Sequence, residues 1–138
     1  ALWMLGGNIS QVGWPKCGEI DIMEYLGQDV KKVYGTVHYD DGGHKYIGGS
    51  YTLSGSQGYN DQFHVFTIMW QENSITWYMD YKQYYEVTSS TIKFDSFDLQ
   101  QFFIFNVAVG GNWPGPPNSS TIFPQTMTVD YVRVFQTL

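Results

Sequence analysis

The chain has 138 residues, 43% of them hydrophobic, which suffices for one globular domain with a core and excludes a disordered segment. A net charge of −6 with only seven Lys and Arg excludes nucleic acid as a partner, because so few cations neutralise few phosphates. No 18-residue apolar run reads as a membrane span, and the single Cys17 excludes an internal disulfide.

Aromatic residues reach 18%. They favour strands, and their faces stack on pyranose rings, so an uncharged polymer suits this chain as a ligand. In chain order, the pattern predicts strands at Leu2–Leu5, Glu19–Glu24, Val33–Tyr39, Phe63–Gln71, Ser74–Met79, Lys82–Glu86, Phe102–Val109 and Thr126–Phe135. Turn signals separate them at Gly6-Gly7-Asn8, Asp40-Asp41-Gly42-Gly43, Gly48-Gly49, Gly58-Tyr59-Asn60-Asp61, Glu72-Asn73 and Gly110-Gly111-Asn112. One short helix or turn fits Phe94–Gln101. Eight or so strands with regular turns imply an all-β, antiparallel β-sandwich.

The second of these strands carries the chemistry. Glu19-Ile20-Asp21-Ile22-Met23-Glu24 sets three carboxylates in an apolar run. Successive side chains of a strand point to opposite faces, so Glu19 and Asp21 share one and Ile20 and Ile22 the other. Strict alternation would bury Glu24 with the isoleucines, which is expensive for a lone carboxylate. One extra residue, a β-bulge near Ile22-Met23, returns Glu24 to the acidic face. Like charges so close cannot all ionise easily, so at least one pKa rises. A carboxylate beside a protonated carboxylic acid is the pair that glycoside hydrolysis uses. The competing reading is an edge strand with an acidic solvent face; Trp14-Pro15 and Gly18 before the run and Gly27 after it argue for a sugar site.

Other residues carry smaller signals. His38 ends a strand expected to neighbour the acidic one, within reach of the acids or a bound sugar, whereas His64 opens a strand and reads as structural. Trp70 and Trp77 alternate with core residues and read as core. Trp14 and Trp113 lie in Gly/Pro-rich loops, where a large aromatic suits sugar stacking. Cys17 reads as a packed thiol. In the last strand Asp130 stands among apolar neighbours, either at a sheet edge or as a ligand for a hard cation such as Ca²⁺.

Gly13-Trp14-Pro15-Lys16-Cys17-Gly18-Glu19-Ile20-Asp21-Ile22-Met23-Glu24 resembles the active-site strand of glycoside hydrolase family 16, in its laminarinase (endo-β-1,3-glucanase) branch. The similarity continues through Gly35-Thr36-Val37-His38-Tyr39, Phe63–Trp70, Trp77-Tyr78-Met79-Asp80, Asn106–Gly115 and Asp130–Val134. It implies a concanavalin-like jelly roll with a substrate groove on a concave face, and retaining hydrolysis of β-1,3-glucan or mixed β-1,3/1,4-glucan. It implies Glu19 as nucleophile, Glu24 as general acid/base and Asp21 between them, raising the Glu24 pKa by its charge. Trp14, His38, Asn106 and Trp113 are then expected at the substrate, Asp130 at a structural calcium, and the protein in the secreted class. No cofactor is expected for catalysis.

Catalytic domains of that family are considerably longer, so residues 1–138 are expected to form one catalytic domain lacking its N-terminal strands, completed by a missing segment or a second chain. The rival from another class is a carbohydrate-binding domain on the same sandwich, which needs the aromatics but not three aligned carboxylates. A third reading is an inactive fragment.

Overall fold

The computed structural model describes residues 1–136, which fall into two compact units, Ala1–Asn106 and the segment from Val107 onward. The first unit is the antiparallel β-sandwich. Its elements are β1 (Leu2–Gly6), a single helical turn α1 (Ile9–Val12), β2 (Glu19–Tyr25), β3 (Lys32–Asp40), β4 (His44–Thr52), β5 (Phe66–Gln71), β6 (Ser74–Met79), β7 (Lys82–Thr88), a 3₁₀ turn (Asp95–Phe97) and β8 (Gln101–Phe105).

Five strands form one sheet in the order β4-β3-β2-β1-β8, and three form the other in the order β5-β6-β7. Every pairing is antiparallel. The core lies between the sheets, where Met4, Ile20, Ile22 and Val37 of the larger sheet meet Ile75, Trp77 and Val87 of the smaller. Ile92, Phe94 and Phe97 close one side of it. The alternation of β2 and β3 follows from this: Ile20, Ile22, Val33 and Val37 point inward, leaving the acids, Thr36 and His38 to the opposite face.

Four features depart from the sequence expectation. Gly48-Gly49 is not a turn but the middle of β4, paired with Thr36 and Gly35. A Cβ on Gly49 would stand 2.8 Å from the Tyr85 Cβ, so glycine serves close packing of the sheets here rather than chain reversal. The strand expected from Phe63 begins at Phe66, because the Val65 N–H donates to the Asp80 carboxylate (2.8 Å). The strand expected to reach Val109 stops at Phe105, where its ladder with β1 ends at Leu2. Finally, residues 126–135 alternate in sequence yet lie in no strand; alternation fits a pleat, but only pairing with a neighbour makes one.

Four side-chain expectations also resolve. Trp77 is fully buried, as expected, but Trp70 is 39% exposed, at the turn end of edge strand β5. Cys17 is buried and free. The His64 Nδ1 lies 2.8 Å from Asp80 Oδ2, just ahead of β5, in a structural role. The second unit is irregular, held locally by a Gly111–Gly115 bridge around Trp113 and by the Asn118 side chain accepting from the Ser120 N–H. Among the described residues no helix is long and apolar enough to cross a membrane.

Candidate active site

β2 is the middle strand of its sheet, paired with β1 on one side and β3 on the other. Its regular ladder breaks where expected. Asp21 pairs with Thr36 and Glu24 with Tyr34, so Ile22 and Met23 stand opposite Gly35 alone. On the β1 side, Asp21 pairs with Trp3 and Met23 with Leu2, again with one residue to spare. This is the β-bulge at Ile22-Met23. It resets the parity of the strand, and Glu24 joins Glu19 and Asp21 in lining one cleft of about 200 Å³ with Ala1, Trp3 and Asn106.

Gly35 makes the bulge possible. A Cβ there would sit 2.3 Å from Trp77 Cδ1, so only glycine admits the indole beneath the bend. The Trp77 Nε1–H donates to the Asp21 main-chain oxygen (2.8 Å).

Each carboxyl has its own surroundings. The Trp14 Nε1–H donates to Glu19 Oε2 at 2.6 Å. The Thr36 hydroxyl donates to Glu24 Oε2 at 3.2 Å. His38 Nε2 lies 3.2 Å from Asp21 Oδ2 and 3.9 Å from Glu19 Oε1. Asp21 is only 2% exposed. Burial, then the Asp21 charge, pushes Glu19 up to about 7. Burial, then the Glu24 charge, pushes Asp21 up to about 8. Glu24 is raised too, chiefly by burial, with the Thr36 bond opposing and the Glu19 charge adding to the rise. The expected cause, the Asp21 charge, does not lead there. Asp21 is itself driven toward its neutral form, and desolvation does the work at Glu24.

Of the residues expected at the substrate, Trp14, His38 and Asn106 gather around the acids. Trp14 is 48% exposed beside Glu19, and Asn106 Oδ1 accepts from the Trp3 indole (2.9 Å) on the cleft wall. Trp113 is exposed in the second unit. Asp130 is exposed in that unit as well, and among the described residues it belongs to no group of three or more His, Cys, Asp or Glu ligand atoms.

Sequence reasoning missed His44 and Tyr46. The His44 ring lies 4.4 Å from Trp14 and stacks on His38 at 5.1 Å, its Nε2 2.8 Å from His38 Nδ1, and the Tyr46 ring lies 5.7 Å from His38 and 5.9 Å from His44. The signal was the hairpin itself: a turn at Asp41-Gly42-Gly43 pairs His38 with Tyr46 and Asp40 with His44. A larger hollow, about 480 Å³ between Asp41 and the 89–98 segment, holds an exposed Lys93–Asp41 ion pair (2.7 Å).

Comparison with known proteins agrees with this geometry. The chain is 40% identical to glucan endo-1,3-beta-glucosidase A1 of Niallia circulans over 99% of its own length and 22% of that protein's. It is 35% identical to the clotting factor G alpha subunit of Tachypleus tridentatus over 97% of its own length and 20% of that protein's. The catalytic domain of an endo-1,3-beta-glucanase (laminarinase) from Thermotoga petrophila RKU-1 superposes with a TM-score of 0.76 at 44% identity, covering 89% of this chain and 51% of that one. The chain thus spans about a fifth of those two curated relatives and about half of that solved domain. The family model for glycosyl hydrolases family 16 matches residues 1–133, and the chain belongs to that family.

Proposed function

We propose that this chain carries the catalytic strand of an endo-acting, retaining β-glucan hydrolase. The observation that supports this best is the set of three raised carboxyls on one face of a bulged central strand, with an exposed tryptophan bonded to the first of them. In this reading Glu19 attacks the anomeric carbon. The Trp14 indole N–H steadies its carboxylate, a charge-assisted bond that favours the ionised form a nucleophile needs. Glu24 protonates the leaving glycosidic oxygen and then takes a proton from the water that releases the product. Its pKa is raised, chiefly by burial, in the direction that favours the protonated form the first step uses. Asp21 stands between Glu19 and Glu24, its own carboxyl pushed toward the neutral form by burial and the Glu24 charge.

The exposed Trp14 and Tyr46 rings flank the acids and offer faces to glucose rings, which favours a neutral polysaccharide such as β-1,3-glucan or mixed β-1,3/1,4-glucan. A secreted protein acting on such polymers and a calcium at Asp130 belong to the same reading through the family resemblance; no step of the reaction runs through calcium. The test is reducing-sugar release from laminarin and from a mixed-linkage glucan, with the product anomer followed by NMR. Early β-anomer supports the reading. Absence of release on both polymers, or early α-anomer, overturns it.

A further inference from the structure

We propose that Glu19, Asp21 and His38 form a site for a zinc-class divalent cation that excludes substrate from the cleft. One ligand atom from each lies within 4.8 Å of the other two. Zinc bonds of about 2.0–2.2 Å to nitrogen and oxygen give tetrahedral ligand-to-ligand edges of about 3.4 Å. His38 Nε2 to Asp21 Oδ2 is 3.2 Å, already at that length. His38 Nε2 to Glu19 Oε1 is 3.9 Å and needs only a small closing movement of a long side chain.

A second observation points to a ligand. Asp21 is 2% exposed, and its Oδ2 makes no hydrogen bond although His38 Nε2 stands 3.2 Å away. A buried carboxylate oxygen without a bonded hydrogen is costly, and a cation would satisfy it. His38 is also held as metal-binding histidines are. Its other nitrogen, Nδ1, meets His44 Nε2 at 2.8 Å. When His38 donates Nδ1–H to His44, its Nε2 presents a lone pair to the two carboxylates, the tautomer a metal requires. The Trp14 N–H occupies the other Glu19 oxygen and leaves Oε1 for the ion.

One imidazole and two carboxylates suit Zn²⁺ better than Ca²⁺ or Mg²⁺, which favour sites made wholly of oxygen. A three-ligand site keeps a fourth position for water. The metal site does not depend on the catalytic reading; competition with glucan does, because Glu19 cannot both hold zinc and attack a sugar.

The test is calorimetric titration of chelator-stripped protein with ZnCl₂, in the absence of any glucan. The expected result is one Zn²⁺ per chain, not displaced by excess Ca²⁺, with affinity falling by at least about tenfold in His38→Gln. X-ray absorption of the wild-type zinc complex should find one imidazole and carboxylate oxygens. It needs no variant, so a His38→Gln protein that failed to fold would leave the test intact. No binding by the folded wild type, an unchanged affinity in folded His38→Gln, or two imidazoles or a thiolate on the zinc would overturn the proposal. In the activity arm, zinc should raise the apparent KM for laminarin without lowering kcat. Zinc binding by a protein that hydrolyses no glucan would refute the catalytic reading while supporting the metal site.

Discussion

The Trp77 indole of β6 reaches across the sandwich and donates its N–H to the main-chain oxygen of Asp21 at 2.8 Å. A fully buried tryptophan of the small sheet is therefore fastened to the large sheet at the residue where the acidic strand begins to bulge. Gly35 clears the way for it, and Trp77 is fully buried in the process. The register of the acids is thus set from the side of the strand that carries no chemistry.

Trp77→Phe should remove that bond and leave a gap beneath the bulge. A loss of about 1–3 kcal/mol is expected from the missing partner and the lost volume. Urea unfolding measures it. The same variant should lower kcat more than it raises KM, because the carboxyls lose their common alignment while the exposed aromatic rings do not move.

Glu19→Gln should abolish hydrolysis with little change in melting temperature. The amide keeps the shape and relieves a buried, charge-crowded site, so the fold has no reason to suffer. Retention of more than about one part in a hundred of the wild-type rate on laminarin would remove Glu19 from the nucleophile role.

Glu24→Ala should be slow with natural glucan and partly restored by azide on a substrate with an activated leaving group. Azide enters the space of the missing carboxyl and attacks the glycosyl-enzyme without needing a base. The product should be a β-glycosyl azide; an α-configured product would exchange the roles of Glu19 and Glu24.

Asp21 gives a pH prediction. Its carboxyl rises from the usual 3.8 to about 8 on folding, so between those values the folded chain holds a proton that the unfolded chain releases. Stability from this group is greatest below pH 3.8 and declines as pH climbs to about 8. Asp21→Asn carries no such proton. In chelator-treated protein its melting temperature should exceed the wild type by more at pH 8 than at pH 4. A tenfold change in the protonation equilibrium corresponds to about 1.4 kcal/mol, so the gain should be of at least that order. A pH-independent difference would contradict the burial argument.

Much of this was legible in the sequence because β2 states its own geometry. Two isoleucines must go inward, three acids must not, and only an added residue reconciles them. The strand β4 was not legible, because Gly48-Gly49 looks like a turn until Tyr85 and Thr36 are seen pressed against it. His44 was lost with it, since a side chain on an unrecognised strand has no assigned face. The 126–135 segment failed in the other direction: its alternation is clean, but alternation does not supply a neighbour. The Trp77–Asp21 bond could not be read at all. It joins residues 56 apart and uses a main-chain atom, which leaves no mark in side-chain pattern.

A central strand has one further consequence. β2 is laddered on both sides, while β4 and β8 are the outer strands of the sheet. Local opening starts where backbone bonds face solvent and reaches the middle last. The amides of residues 19–21 should then be among the slowest to exchange with deuterium, and partial fraying of β4 or β8 should leave the spacing of the acids intact. Heating would then keep the three acids in register until the sheet itself gives way.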